Sequence, residues 1–487
     1  MSEPRADRAA QHPTPRRSSR HPADAALAPE VRTARHQLLG LYLLLGLTVS
    51  SWLARLPSVR ASLDLSTAEL GTILLVGAVG SLATVLIAGA FVARWGSRTT
   101  LVTAAVIFSV ANVLLGLGPT TGSVGVLVLG VLLMSMSFAL GNVPMNVQTV
   151  VIERWMGRTV VPQFHAAFSV GAVLGSLVGA LAAWGQVPLL VQFGAVSLLT
   201  LVWRLLAVPG AVLPGAAAPV AAAQLHDAPP PRRGAGLRTA LSAWRERRTL
   251  LVGVVVMSAA LSEGSANNWL AIAVVDGFAE PEAVAAVVFG VFVASMTAAR
   301  LAGTRLIDRF GRVAVLTGSG IVSLVGLAVF GLAPNLPLAA VGVVGWGLGA
   351  GLVVPIGMAA VSTDPLRAAG RVAVVSAFAS VASIAAPPLI GVVAEHIGTR
   401  HALLLIAVVL VAGTALSGRI DPADAIDAAD TVGAAYRIGA PAAVQVPDRA
   451  AMRQDSPENV MPGEPVGRPV TLEQIVQEHQ MSSQGHR

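Results

Sequence analysis

Twelve runs of apolar residues, most about twenty residues long and separated by short polar loops, constrain this chain more than any other feature. They lie at 38–54, 70–93, 99–118, 124–150, 160–183, 187–206, 249–273, 284–304, 313–333, 336–361, 370–394 and 400–417. About twenty consecutive apolar residues is the length an α-helix needs to cross the hydrocarbon core of a bilayer. Only 12% of the 487 residues are charged and 54% are hydrophobic, whereas a soluble domain carries roughly 25% charged residues. There is too little polar surface to clothe a body in water, so the expected fold class is an all-α membrane protein of twelve helices.

The formal charge of +7 comes from arginine alone, since the chain has no lysine. Its placement argues against nucleic acid as a partner, because the arginines gather in alternate loops and in the termini. Arg94, Arg98, Arg154, Arg158, the long-loop residues Arg232, Arg233, Arg238, Arg245, Arg247 and Arg248, and Arg305, Arg309, Arg312, Arg367 and Arg371 share one side, while Arg55, Arg60 and Arg400 hold the other. The positive-inside rule then puts the first set in the cytoplasm, together with both termini. The chain has no cysteine, which excludes disulfides and thiol chemistry. Trp52, at the end of the first run, is expected to anchor that helix at the membrane interface.

The expected layout is a disordered tail at 1–36, a six-helix half at 37–206, a linker at 207–247, a second six-helix half at 248–418 and a disordered tail at 419–487. An internal repeat supports the two halves. Trp52-Leu53-Ala54 recurs as Trp269-Leu270-Ala271, an offset of 217 residues. Gly71 and Gly290, Gly96 and Gly311, Pro144 and Pro355, and Arg158 and Arg371 follow in the same order at offsets of 211 to 219. Parallel repeats of this kind build transporters from two halves around a central site.

Two loops carry a recognisable pattern. Gly89-Ala90-Phe91-Val92-Ala93-Arg94-Trp95-Gly96-Ser97-Arg98 follows the second run, and Thr304-Arg305-Leu306-Ile307-Asp308-Arg309-Phe310-Gly311-Arg312 follows the eighth. Both resemble the cytoplasmic loop signature of the major facilitator superfamily, Gly-x-x-x-Asp-Arg-x-Gly-Arg-Arg, with Ala93 in place of the acid in the first and Thr304 in place of the leading glycine in the second. The resemblance implies a twelve-helix major facilitator bundle of two six-helix pseudo-repeats. Gly89, Arg94, Gly96, Arg98, Asp308, Arg309, Gly311 and Arg312, with Glu153 and Arg158 after the fourth run and Asp364 and Arg371 after the tenth, are candidates for a cytoplasmic gate of ion pairs. Static interfacial pairing is the alternative, worth about 0–1 kcal/mol per pair.

Glu263 lies inside the seventh run, where a charge costs roughly 3 kcal/mol on insertion scales. It is the candidate proton-coupling residue, with His165 as a second. A structural hydrogen bond to a neighbouring helix is the competing reading. Asn142, Asn146 and Gln148 surround Pro144 in the fourth run, and with Phe168, Asn267, Asn268 and Trp269 they are candidate solute-binding residues; helix-to-helix bonding is their alternative role. Gly171, Gly175 and Gly179 recur at intervals of four, a face for close helix contact. They partly match an antiporter signature, with Ser176 and Ala180 at two of its positions.

The stretches around Asn142, Phe164-His165 and Ser262-Glu263-Gly264 resemble a bacterial inner-membrane branch related to fucose permease-type sugar/proton symporters. That resemblance implies a secondary transporter in the bacterial inner membrane, working by alternating access and coupled to protons, with a small polar or amphipathic solute and membrane lipid as its partners. A proton-coupled efflux antiporter, or a membrane sensor on the same scaffold, stands as the alternative. Nothing resembles a nucleotide loop, a metal cluster or a nucleophile–base pair, so no cofactor, metal or enzymatic activity is expected, and a monomer is the expected state.

Overall fold

The computed structural model describes residues 29–157, 160–213, 242–362 and 367–418. Arg158 and Asp364, most of the linker, and the two tails apart from residues 29–36 lie outside these. The described residues form helices throughout: α1 (Pro29–Leu53), α2 (Leu56–Ser62), α3 (Thr67–Thr121), α4 (Val124–Met156), α5 (Val161–Trp184), α6 (Leu189–Ala211), α7 (Arg247–Phe278), α8 (Glu282–Phe310), α9 (Arg312–Leu332), α10 (Leu336–Val361), α11 (Ala368–Ile397), α12 (Thr399–Ala402) and α13 (Leu405–Ser417). In a bilayer this is the arrangement that satisfies every backbone group within its own segment. The first helix begins at Pro29, inside the segment expected to be a disordered tail. Val31 and Ala34 are buried there, so packing extends the helix past the end of its apolar run.

Among the described residues, eleven helical stretches are long and apolar enough to span a membrane, with α12 and α13 together forming the last, Thr399–Ser417. One of them, α3, has 55 residues, and at 1.5 Å per residue it would run about 80 Å, nearly twice the full thickness of a bilayer. It is broken at Gly96, where φ is 79° and ψ is 164°, a backbone region that only glycine adopts readily. The chain therefore turns at Gly96 and crosses twice, giving twelve crossings in all. Gly311 makes the equivalent break between α8 and α9 with φ 78° and ψ 160°. At the other end of α3 the chain starts on a reciprocal cap: the Ser66 side chain accepts from the Glu69 backbone N–H, and the Glu69 carboxylate accepts from that of Ser66. Such a cap satisfies two N–H groups that the first turn leaves open.

Leu86, Trp184, Leu198, Leu206, Leu301 and Val408 are among the large apolar side chains left exposed. On a soluble protein they would be an aggregation hazard; around a bundle of spanning helices they form the surface that meets lipid.

Within the N-terminal half, α1 packs on α5 and α3 on α4 and α6; the C-terminal half repeats this with α7 on α11 and α9 on α10 and α13. The α1–α5 contact is close because Gly46, Gly171 and Gly175 leave no side chain between the helices. A Cβ at Gly171 would collide with the Leu43 carbonyl, and one at Gly175 with that of Leu47. Gly171→Leu is expected to destabilise the fold by more than about 3 kcal/mol, since the obstruction is backbone and the helices must separate. Size-exclusion and thermal unfolding of the detergent-solubilised variant would read this, and a wild-type melting curve would refute it.

The halves meet along two seams, α5 with α8 and α3 with α11. The repeat carries one onto the other, because α11 occupies in the second half the place of α5 in the first, and the first crossing within α3, before Gly96, corresponds to α8. Both seams are tight near the end remote from the arginine-rich loops. Gly71 faces the Pro387 backbone, Gly391 faces that of Thr67, and Gly290 faces the Ser176 side chain.

Candidate functional site

Between the halves lies a cavity of about 290 Å³, with Trp52, Ser81, Met134, Phe138, Asn267 and Asn268 among its lining residues. The cavity face of α4 continues along the helix. Residues 131, 135 and 138 line the cavity, and Asn142 and Asn146 follow at intervals of four, on the same side. The Asn146 side-chain amide donates to both the backbone and the side-chain oxygens of Asn142, each at 3.0 Å. Its own oxygen accepts from the Tyr42 hydroxyl at 3.0 Å. The Tyr42 ring lies edge-on to His165 at 5.8 Å, bringing α1, α4 and α5 to one polar wall.

The opposite wall comes from the C-terminal half. Arg300 on α8 donates through one nitrogen to both carboxylate oxygens of Glu263, at 3.2 and 3.1 Å, and through Nε to the Gly351 carbonyl at 3.2 Å. The side chains remain 30% and 24% exposed. Glu263 stands one turn from Asn267 on α7, and Arg300 is near enough to His165 for its charge to act on the imidazole across the halves. Four of the residues expected to bind solute or move protons on one wall or the other thus come together: Asn142, Asn146, His165 and Glu263, with Asn267 and Asn268 on the cavity surface above.

Four expectations are corrected. Gln148 sits on the far side of α4, fully buried, and accepts from the Leu213 backbone N–H at 3.2 Å; its position two residues past Asn146 rotates it away from the cavity. Trp269 is 0% exposed and belongs to the packed core rather than the cavity wall. Trp52 is 1% exposed, edge-on to Phe193 at 5.8 Å, and so is no interfacial anchor. Phe168 packs against the core and is not among the cavity residues.

Among the described gate candidates, Glu153 caps a helix of its own half and Arg371 pairs at the start of α7. Glu153 accepts from the backbone N–H groups of Val160 and Val161 at 2.7 and 3.1 Å, capping the start of α5. Arg371 donates to Glu246 at 2.6 Å, with Arg367 at 3.6 Å from the same carboxylate; Glu246 ends the linker just before α7. Arg94 and Arg309 lie over the rings of their neighbours Trp95 and Phe310. Gly89, Arg98, Asp308 and Arg312 are exposed at the same end, beside the turns at Gly96 and Gly311.

Burial alone would push the Glu246 carboxyl up, but hydrogen bonds from Arg371 and Thr249 and the charges of Arg371 and Arg367 outweigh it and hold the group below its ordinary value. A depressed folded value contributes stability above the unfolded pKa of about 4.3, and that contribution is lost as pH falls through the lower folded value. The melting temperature is therefore expected to drop more steeply below about pH 4 in the wild type than in Glu246→Gln; parallel pH profiles would count against it.

The ion pairs that do join the halves sit at the opposite end. Arg55 Nε lies 3.0 Å from the Glu282 carboxylate, with the two side chains 5% and 15% exposed. Glu282 also accepts from the Ser58 backbone N–H at 2.8 Å and from its hydroxyl. Gln192 accepts from Arg55 at 2.6 Å, fixing the guanidinium from behind. Arg60 pairs with Asp276 at 2.5 Å. The Thr67 hydroxyl donates to the Gly391 carbonyl at 2.8 Å, and the Ala68 N–H to Glu395 at 3.2 Å. The bundle is closed at this end, while at the other Arg367 and Arg371 pair with Glu246.

Comparison with known proteins fits this geometry. The family model described as Major Facilitator Superfamily matches residues 3–160, 163–372 and 252–434. The chain belongs to the major facilitator superfamily. An uncharacterized transporter, y4wD of Sinorhizobium fredii, is 29% identical over 375 residues, covering 75% of this chain and 92% of the relative. The fold is similar to that of a variant of the nucleoside transporter NupG, with TM-score 0.66, 15% identity, and 80% and 99% of the two chains covered. It is also similar to that of a variant of the E. coli fucose:proton symporter FucP, with TM-score 0.54, 13% identity, and 79% and 98% covered. This major facilitator protein is thus a multi-pass membrane transporter by family.

Two cations within the apolar runs, one half-buried and one buried, escaped the sequence reading. Arg300 and Arg204 lie within the eighth and sixth apolar runs, where an arginine signals function as strongly as an acid does. A search of the runs themselves for basic as well as acidic residues would have found both.

Proposed function

We propose that the chain is a proton-coupled symporter of a small polar solute, in which the Glu263–Arg300 pair is the switch. The observation that carries this reading is the pair itself: a carboxylate and a guanidinium inside the membrane, part-exposed, beside a wall of neutral amides. While Glu263 is ionised it holds Arg300. Protonation removes its charge and frees the guanidinium to bind an electron-rich group of the solute, so proton and solute load together. Fucose:proton symport by FucP, which shares the fold, is compatible with this assignment.

The excess of arginine at one end supports placing that end, and both termini, in the cytoplasm of a bacterial inner membrane. The state described here is then inward-open, with the Arg55–Glu282 and Arg60–Asp276 pairs as its outer seal. Transport follows when the two halves rock, breaking these pairs and closing the arginine-rich end. Solute-induced proton uptake in proteoliposomes, screened over sugars, polyols, nucleosides and carboxylates, tests the assignment; a solute that accumulates without proton movement would overturn the coupling.

A further inference from the structure

Arg204 on α6 is buried inside the N-terminal half, 6% exposed, away from the Glu263–Arg300 pair. Its guanidinium lies 4.6 Å from the centroid of the Phe108 ring. Among the described residues no carboxylate pairs with it and no oxygen accepts from it, and Nη2 is buried without a partner. Desolvating an unpaired guanidinium costs several kcal/mol, of which an aromatic face returns about 2 kcal/mol at most. Beside Arg204 is a second cavity, walled by Leu41, Leu45, Ser137, Phe138 and Met145. The one hydroxyl in that wall, Ser137, already donates to the Met134 carbonyl at 3.0 Å, which leaves Arg204 as the donor facing the space.

We propose that this cavity holds a small monoatomic anion, with chloride as the natural occupant, bound to Arg204. Its volume of about 30 Å³ exceeds the roughly 10–15 Å³ that one water requires, which is room for a single small ion. Water alone would hydrate the guanidinium and leave its charge unbalanced in an apolar bundle. Phe138 walls both this cavity and the central one, so the anion stiffens the helix that carries Asn142 and Asn146.

Thermal unfolding of the full chain in detergent, at matched ionic strength in sodium chloride and in sodium gluconate, tests this. The wild type is expected to melt about 2–4 °C higher in chloride, with a saturable dependence on its concentration, and Arg204→Met to lose that dependence. Equal melting of the wild type in the two salts would mean water only and would overturn the proposal, as would an undiminished chloride shift in Arg204→Met. Should Arg204→Met fail to fold, bromide soaked into wild-type crystals decides: an anomalous peak beside Arg204 supports the site, and a featureless cavity refutes it.

Discussion

Glu263→Gln is expected to abolish solute-driven proton uptake, by at least about 100-fold, while leaving the protein folded and able to exchange labelled solute between the two sides. Glutamine keeps the shape of the side chain and can still accept from Arg300, but it has no proton to lose at any accessible pH. Arg300 is then in the state that protonation creates, permanently free to meet solute. Exchange needs only the loaded carrier to reorient, whereas net uptake coupled to protons needs Glu263 to cycle. Proteoliposomes reporting internal pH and counterflow separate the two. Wild-type proton flux in the glutamine variant would move the coupling site elsewhere, with His165 next in line, and loss of both flux and exchange in a folded variant would make Glu263 a solute ligand instead.

The second large effect concerns the seal between the halves. Glu282→Ala removes the acceptor of Arg55 and of both Ser58 donors together. Breaking a buried pair by deleting one partner costs about 3–5 kcal/mol. Gln192 still holds Arg55 from behind, so the lower end applies, equivalent to roughly a 100-fold shift toward the state open at this end. The chain has no cysteine, so a single one introduced at Ser81, on the cavity wall, reports access directly. Its labelling by a membrane-impermeant maleimide from the sealed side is expected to rise steeply in Glu282→Ala, and unchanged labelling would show that the seams alone keep that end shut.

The twelve crossings and the two halves were legible in the sequence because bilayer thickness fixes the length of a span, and because a duplicated element repeats its turns at one spacing. The site was legible in part. Asn142, Asn146, His165 and Glu263 stood out as polar groups in an apolar medium, and the helical period accounts for where Asn142 and Asn146 point. The same period argues against Gln148, which lies past Asn146 by half a turn. What was not legible depends on pairing across helices. Glu282 reads as an ordinary residue opening a helix, and Arg55 as a loop charge, until the fold sets α2 beside α7 and the end of α8. The loop arginines invited a gate at their own end because charge counts report topology, not which end of a two-state machine is closed. Arg300 went unseen because arginines were counted only in loops, though it is the partner that gives Glu263 its meaning.

The two turns at Gly96 and Gly311 bear on how the halves diverged. Their dihedral angles agree within a few degrees, yet one copy has Ala93 where the other has Asp308, and the other has Thr304 where the first has Gly89. Since duplication the copies have drifted in charge while keeping the backbone bend. Shape is therefore what both halves require of this loop, and any task that depends on its acid falls to the second half alone.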